Sequence, residues 1–299
     1  MLIQISNRCD EGCPHCLQDS TETGGMMALD TFRDAVRFGY NTGWHLFLIT
    51  GGEPTMNPDM ERMLWWFEDM SQKIKREFGV PIMFAIATNG TWVEDAEKRR
   101  MMWRIAKLKS YMFTQVYTNK RWYADYDFIQ DWRTELEQIP HCKVDEEEIQ
   151  MQDLGRARTN DDCQTEVEKN PYRCSCLNAA LAAHQVRNPK DYGIQLESHT
   201  QLCSPCVDFN GDVHLSESWL CPSVGNVTTE SVNTIYSRMR QFKPCMRCKN
   251  SRRLFDNDPK LAVAREILGI SSGTDPDGGA VGEPGVNASD VMDVNNIKV

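Results

Sequence analysis

The chain has 299 residues, 40% of them hydrophobic and 25% charged, and carries a formal net charge of −10. That length allows one large domain, or a large and a small one, with ample material for a core. No stretch of eighteen apolar residues predicts a membrane helix, and the N-terminus lacks the basic-then-apolar pattern of a secretory signal, so a cytoplasmic protein is expected.

Leu2 to Ser6 reads as a short strand. A helix is expected from about Asp30 to Tyr40, where Phe32, Ala35, Val36 and Tyr40 stand near helical spacing. Leu46 to Thr50 is a compact apolar strand ending at Gly51-Gly52. The next helix has the clearest signals: Asn57 as its cap, Pro58 in the first position, and Gly79 as the closing residue. Between them Met60, Met63, Leu64, Phe67, Ile74 and Phe78 form one apolar stripe. Pro81 to Ala87 is a third strand, ending in the turn Thr88-Asn89-Gly90, and a basic helix follows from about Asp95 to Lys107. Tyr111 to Tyr117 is a fourth strand and Asp125 to Gln138 a fourth helix. A fifth strand falls within Lys143 to Gln152, and in one register Glu148, Gln150 and Gln152 face inward.

Such alternation predicts an α/β fold, a parallel sheet with helices packed outside it and right-handed crossovers. Chemistry in these folds gathers at the carboxyl ends of the strands. From about Asn160 periodicity weakens and cysteines become dense, which predicts a small metal-supported module reaching about Arg253. A short helix is expected near Pro259 to Leu268. Residues 271–299, rich in Gly, Asp, Ser and Asn and without aromatics, read as a disordered tail.

Twelve cysteines in tight groups, with no export signal, point to metal ligation in a reducing compartment. Cys9, Cys13 and Cys16 lie within eight residues directly after the first strand. Three thiolates leave one iron of a 4Fe–4S cube without a protein ligand, an open position that a catalytic site needs. The alternative is a zinc site completed by His15 or a distant cysteine.

Cys-x3-Cys-x2-Cys on this loop resembles the signature of the radical S-adenosylmethionine superfamily, and Gly51-Gly52-Glu53-Pro54 after the second strand matches its GGEP motif. The resemblance covers roughly Leu2 to Arg158 and implies a partial (βα)6 TIM-like barrel over residues 1–158, extending to about 200. It implies that the open iron holds S-adenosylmethionine by its amino and carboxylate groups. Gly51, Gly52, Glu53 and Pro54 would hold the amino group, through backbone carbonyl and the Glu. Asn89 and Gln115 would line the cofactor, and Arg156, within Leu154-Gly155-Arg156-Ala157, would meet its carboxylate. Each has a plainer reading, as turn, strand or surface residue. The motif usually has an aromatic where this chain has His15. Cleavage of the cofactor to a 5′-deoxyadenosyl radical needs an electron donor such as flavodoxin or ferredoxin.

A second group comprises Cys203, Cys206, Cys221, Cys245 and Cys248, with a hairpin turn at Asn210-Gly211 and a Gly225-Asn226-Val227 step between them. Residues 200–253 are similar to the SPASM and Twitch extensions, which implies a second 4Fe–4S cluster held by four of these five thiols. Relatives commonly carry a cysteine where this chain has Ser216. A zinc ribbon on Cys203, Cys206, Cys245 and Cys248 is the rival reading. Cys174 and Cys176 are a weak further pair, and Cys142 and Cys163 read as buried.

Three substrate classes stay open. The favoured one is a small molecule or amino acid-derived group. A peptide is the second, which would need a separate peptide-binding partner because the chain starts directly at its first strand. Nucleic acid is the third and is not favoured: basic runs at Lys98 to Lys109 and Arg238 to Arg253 read as solvated helix faces, and the negative net charge does not help a grip on phosphates. A non-enzymatic iron–sulfur or zinc scaffold is the last alternative.

Overall fold

The computed structural model describes residues 1–146, 155–169, 205–215 and 223–241, the side chains of 167–169 and 240–241 excepted. Five parallel strands form its centre: β1 (Leu2–Ser6), β2 (Leu46–Gly51), β3 (Met83–Thr88), β4 (Tyr111–Thr118) and β5 (Cys142–Glu146). Strand β6 (Cys206–Val207) adds in parallel to the free side of β1, and β7 (Asp212–His214) and β8 (Gly225–Asn226) continue the sheet antiparallel. The order is β5-β4-β3-β2-β1-β6-β7-β8, an open sheet among the described residues, as a partial barrel requires. Helices α1 (Leu29–Asn41), α2 (Met60–Phe78) and α3 (Ala96–Ile105) are the first three crossovers, and α4 (Tyr126–Asp131) and α5 (Arg133–Gln138) together make the fourth. Helices α6 (Asp161–Lys169) and α7 (Val232–Gln241) lie in the later part of the chain.

Alternation along each strand sets two faces. Ile3, Ile5, Phe47, Ile49, Phe84, Ile86, Val116, Cys142 and Val144 point into the core beneath the helices. Gln4, Thr50, Ala87, Gln115 and Lys143 fall on the opposite face, and strand register sets Gln4 beside Thr50 and Gln115 between Ala87 and Lys143. Helix α2 buries Met60, Met63, Leu64, Phe67 and Ile74 against this core, each contributing about 1.5–3 kcal/mol. Edge-to-face rings run from Phe47 through Phe67 and Phe84 to Tyr111 at centroid distances of 5.4, 5.2 and 5.8 Å, so one aromatic ladder ties β2, α2, β3 and β4.

Several expectations are corrected in detail. Asn57 does not cap α2; Asp59 takes that place. Asn57 is instead a buried staple, donating from Nδ2 to the carbonyls of Ile5 (2.7 Å) and Met27 (3.0 Å). Phe78, at the end of the stripe, is 54% exposed, because the helix has by then run past the sheet it covers. The helix expected over Asp125 to Gln138 breaks at Trp132, whose ring instead takes the Arg99 guanidinium at 5.4 Å. The described residues of 160–169 and 223–241 are more regular than their pattern suggests. Asn160 accepts from the Cys163 amide and Ser231 from the Thr234 amide, side-chain caps that start α6 and α7. The Asn210-Gly211 hairpin forms as expected, but it extends the same sheet as β1. The helix expected at 259–268, the tail 271–299, Cys174, Cys176, Ser216, and the inward residues of 147–154 lie outside the described residues.

Candidate active site

Four loops converge at the carboxyl ends of β1 to β4. The first, after β1, is folded back on itself by backbone bonds: Asn7 N–H to Gly25 O (2.7 Å), Cys9 N–H to Thr21 O (2.9 Å) and Met27 N–H to Ile5 O (2.9 Å). It carries Cys9, Cys13 and Cys16. Cys13 is buried and the other two are half-buried. Two amides point at sulfur: Glu11 N–H at Cys9 Sγ (3.5 Å) and Ser20 N–H at Cys16 Sγ (3.4 Å). Cys13 Sγ donates to Glu11 Oε2 at 2.7 Å. Burial pushes the Cys9 thiol up to about 12 and raises Cys13 as well. Glu11 is pushed up to about 9, by burial first and then by the neighbouring Asp125 carboxyl. Burial lowers His15 to about 4, where its ring packs on Tyr123 at 4.8 Å.

The second loop holds Gly51-Gly52-Glu53-Pro54. Glu53 N–H donates to Arg8 O at 2.8 Å, one residue before Cys9. A Cβ on Gly52 would strike Arg8 O and lie 3.1 Å from Cys9 Cβ, so only glycine lets the two loops touch. Glu53 itself is fully buried. Its Oε1 accepts from Thr55 N–H (2.9 Å) and Thr55 Oγ1 (2.7 Å), and its Oε2 from Thr88 Oγ1 (2.7 Å) and Asn89 N–H (3.0 Å). Burial raises this carboxyl above its usual range while the Thr55, Thr88 and Asn89 donors pull it back toward the ionised form. Glu53 thus staples the Pro54 turn to the end of β3, and both its oxygens are engaged by protein donors.

The third loop supplies Asn89. Its Nδ2 donates to Asp10 Oδ1 (3.0 Å) and lies 3.9 Å from Cys9 Sγ, and Thr91 Oγ1 donates to Asp10 Oδ2 (2.7 Å). Asn89 therefore meets the cysteine loop directly. Gln115, on the face of β4 opposite the core, donates to Asp145 Oδ2 of β5 at 2.5 Å. It stands away from the cysteine loop's hydrogen-bond network.

Arg156 also comes to the cysteine loop, though not as a free cation. Its Nε pairs with Asp19 Oδ1 at 3.1 Å, its Nη2 donates to Ser20 O, and its amide donates to Cys16 O at 3.1 Å. Cys206, the one described member of the second cysteine group, is fully buried in β6 beside Leu2. Cys203, Cys221, Cys245 and Cys248 lie outside the described residues.

Sequence reading missed Asp10, Thr88, Asp19 and Ser20 as site residues. Asp10 and Asp19 act on Asn89 and Arg156, partners brought up by the fold; Ser20 lies four residues after Cys16, and Thr88 stands next to Asn89. Among the described residues no three His, Cys, Asp or Glu side chains are grouped to hold a single metal ion, and no helix is long and apolar enough to cross a membrane.

Residues 3–119 match the model of the Radical SAM superfamily. Two curated relatives resemble part of the chain: GTP 3′,8-cyclase of Synechococcus sp. (strain WH7803), 38% identical over 57 residues, and that of Synechococcus sp. (strain CC9902), 32% identical over 64 residues. These matches cover 19% and 21% of this chain, which spans only 16% and 19% of those relatives. Among solved structures, BtrN in complex with AdoMet and 2-DOIA is similar at a TM-score of 0.49 and 12% identity, covering 84% of this chain and 87% of that one. The anSMEcpe enzyme with bound AdoMet and Cp18Cys peptide is similar at 0.47 and 13%, covering 89% and 96%. SuiB of Streptococcus suis bound to S-adenosylmethionine is similar at 0.46 and 13%, covering 84% and 68%. The residues that match this family model hold the thiols of the first loop, the double-glycine turn seated on Arg8 beside Cys9, and Asn89.

Proposed function

We propose that this chain is a radical S-adenosylmethionine enzyme that generates a 5′-deoxyadenosyl radical and abstracts hydrogen from a small-molecule or amino acid-derived substrate. One observation carries the reading: three thiols share a loop that the Gly52–Glu53 turn meets at Arg8, directly before Cys9, and whose Cys9 sulfur lies 3.9 Å from Asn89 Nδ2. The donor set fits a cluster. Cubane iron is bound by thiolates, each on its own iron, whereas a zinc ion draws its ligands to about 2.0–2.3 Å of one centre. Backbone amides already point at the sulfurs of Cys9 and Cys16, where they would donate to cluster-bound thiolates. Cys9, Cys13 and Cys16 would hold a 4Fe–4S cluster, which when bound would supply a site for the cofactor and the chemistry of its reductive cleavage.

The protein's own part is to position. The Gly51–Pro54 turn brings backbone groups beside the loop, where they would meet the amino group of the cofactor. The Glu53 carboxylate maintains that turn. Asn89 and Asp10 hold the loop against β3, and Gln115, with Asp145, stands on the face opposite the core, where a substrate would lie over the sheet. A second 4Fe–4S cluster on four of Cys203, Cys206, Cys221, Cys245 and Cys248 belongs to this proposal, as do an auxiliary module over 200–253 and an electron donor of the flavodoxin or ferredoxin kind. The name of the curated relatives, GTP 3′,8-cyclase, supports a small-molecule substrate.

Anaerobic reconstitution followed by incubation with S-adenosylmethionine and dithionite tests the reading. Formation of 5′-deoxyadenosine, lost in Cys13→Ala, is the expected result. Iron and sulfide content counts the clusters: about eight irons per chain means two and about four means one. Protein that takes up zinc and no iron at Cys9, Cys13 and Cys16 would refute it.

A further inference from the structure

Resemblance assigns Arg156 to the carboxylate of the cofactor, but its surroundings show a different attachment. The peptide from Cys16 to Ser20 is gripped at three points by residues 155–156. The Arg156 amide donates to Cys16 O (3.1 Å), Nε pairs with Asp19 Oδ1 (3.1 Å) and Nη2 donates to Ser20 O. Gly155, at φ +51, lies so close beneath this peptide that a Cβ would strike Cys16 O and stand 2.7 Å from Leu17 O. Asp19 itself holds a left-handed backbone, φ +48, which Asp tolerates better than most residues with a side chain. The Arg156 ion pair holds its carboxylate in place.

The gripped peptide bears on the thiols. Ser20 offers its carbonyl to Arg156 and its amide to Cys16 Sγ at 3.4 Å, while its hydroxyl donates to Asn7 Oδ1 at 2.9 Å. Asn7 in turn meets Gln4, which also holds Gln18 at 2.8 Å. Arg156 thus holds the carbonyl of the residue whose amide points at Cys16.

We infer that Gly155 and Arg156 form a clamp on the cysteine loop, and that Arg156 is a positioning residue acting on the Cys16 corner through Ser20. The inference deepens the radical S-adenosylmethionine reading and relies on it only where a cluster property is measured. Removing the clamp frees Asp19 and Ser20, so the N–H aimed at Cys16 Sγ is lost for part of the time. A donor beside a thiolate favours the more negatively charged, reduced cluster, so its loss makes the potential more negative.

The test uses the full chain as wild type, Arg156→Ala and Asp19→Asn. The second variant alters a side chain 65% exposed and keeps a residue type at home with positive φ, so it preserves the fold. Hydrogen exchange of the Leu17–Thr21 amides is measured in iron-free protein. We expect exchange at least about tenfold faster in Arg156→Ala and a smaller rise in Asp19→Asn. After reconstitution, the midpoint potential of Arg156→Ala should be more negative than that of wild type. Unchanged exchange in both variants, or an unchanged potential in Arg156→Ala, overturns the clamp. If both are unchanged and affinity for S-adenosylmethionine falls, Arg156 is a cofactor ligand instead. Wild-type protein that takes up no iron refutes the wider reading, while the exchange data still judge the clamp.

Discussion

Replacing Glu53 by Gln separates a structural carboxylate from one reserved for a ligand. In the folded chain, four donors converge on its two oxygens, two of them backbone N–H groups that cannot reorient, those of Thr55 and Asn89. An amide keeps one acceptor oxygen. Placed toward Thr55, it sets its NH2 against the Asn89 N–H; flipped, it sets it against the Thr55 N–H. Either way one buried amide is orphaned and two charge-assisted bonds weaken. An unsatisfied buried donor costs about 1–3 kcal/mol, and bonds to charged groups are worth more than neutral ones, so the total loss is about 2–4 kcal/mol. For a chain of this size that lowers the melting temperature by roughly 4–16 °C. Thermal unfolding of iron-free protein, followed by circular dichroism, measures it without any cluster chemistry. An unchanged melting temperature, together with an S-adenosylmethionine affinity weakened by about tenfold or more, would show that the carboxylate serves the cofactor and that the staple argument is wrong.

Other expectations follow from the same geometry. Asn57→Ala leaves the Ile5 and Met27 carbonyls and the Asp59 amide without their side-chain partner, and should cost about 2–4 kcal/mol in urea unfolding. His15 is lowered to about 4 by burial, so the unfolded chain binds a proton that the folded chain refuses. Its contribution is present above pH 6.5 and is lost as pH falls toward 4, up to about 3 kcal/mol. The difference in stability between wild type and His15→Phe, measured in iron-free protein from pH 7 to pH 4, should shrink in that window; a pH-independent difference would contradict it. Cys9, raised to about 12, is almost wholly protonated near neutrality. Iron-free protein should alkylate there more slowly than a free cysteine by about two orders of magnitude or more at pH 8, read by peptide mass spectrometry.

What could be read along the chain was whatever depends on near neighbours. Alternating apolar periods marked β1 to β4 and α1 to α3, because burial on one face imposes a repeat of two or of 3.6 on the residues themselves. The spacing of Cys9, Cys13 and Cys16 and the double glycine at 51–52 were equally legible, since both are short motifs written in neighbouring residues. The joint at Trp132 was not visible, and neither was the Arg99 guanidinium that another helix brings over its ring. The hairpin at Asn210-Gly211 announced its turn but not its place beside β1, which rests on pairing across some two hundred residues. Motif position alone suggested Glu53 and Arg156 as ligands. Only the assembled loops show the Glu53 carboxylate saturated by Thr55, Thr88 and Asn89, and the Arg156 guanidinium bound to Asp19 and Ser20. A side chain's type is written in the chain, but whether its polar atoms are free depends on donors and acceptors that folding brings from elsewhere.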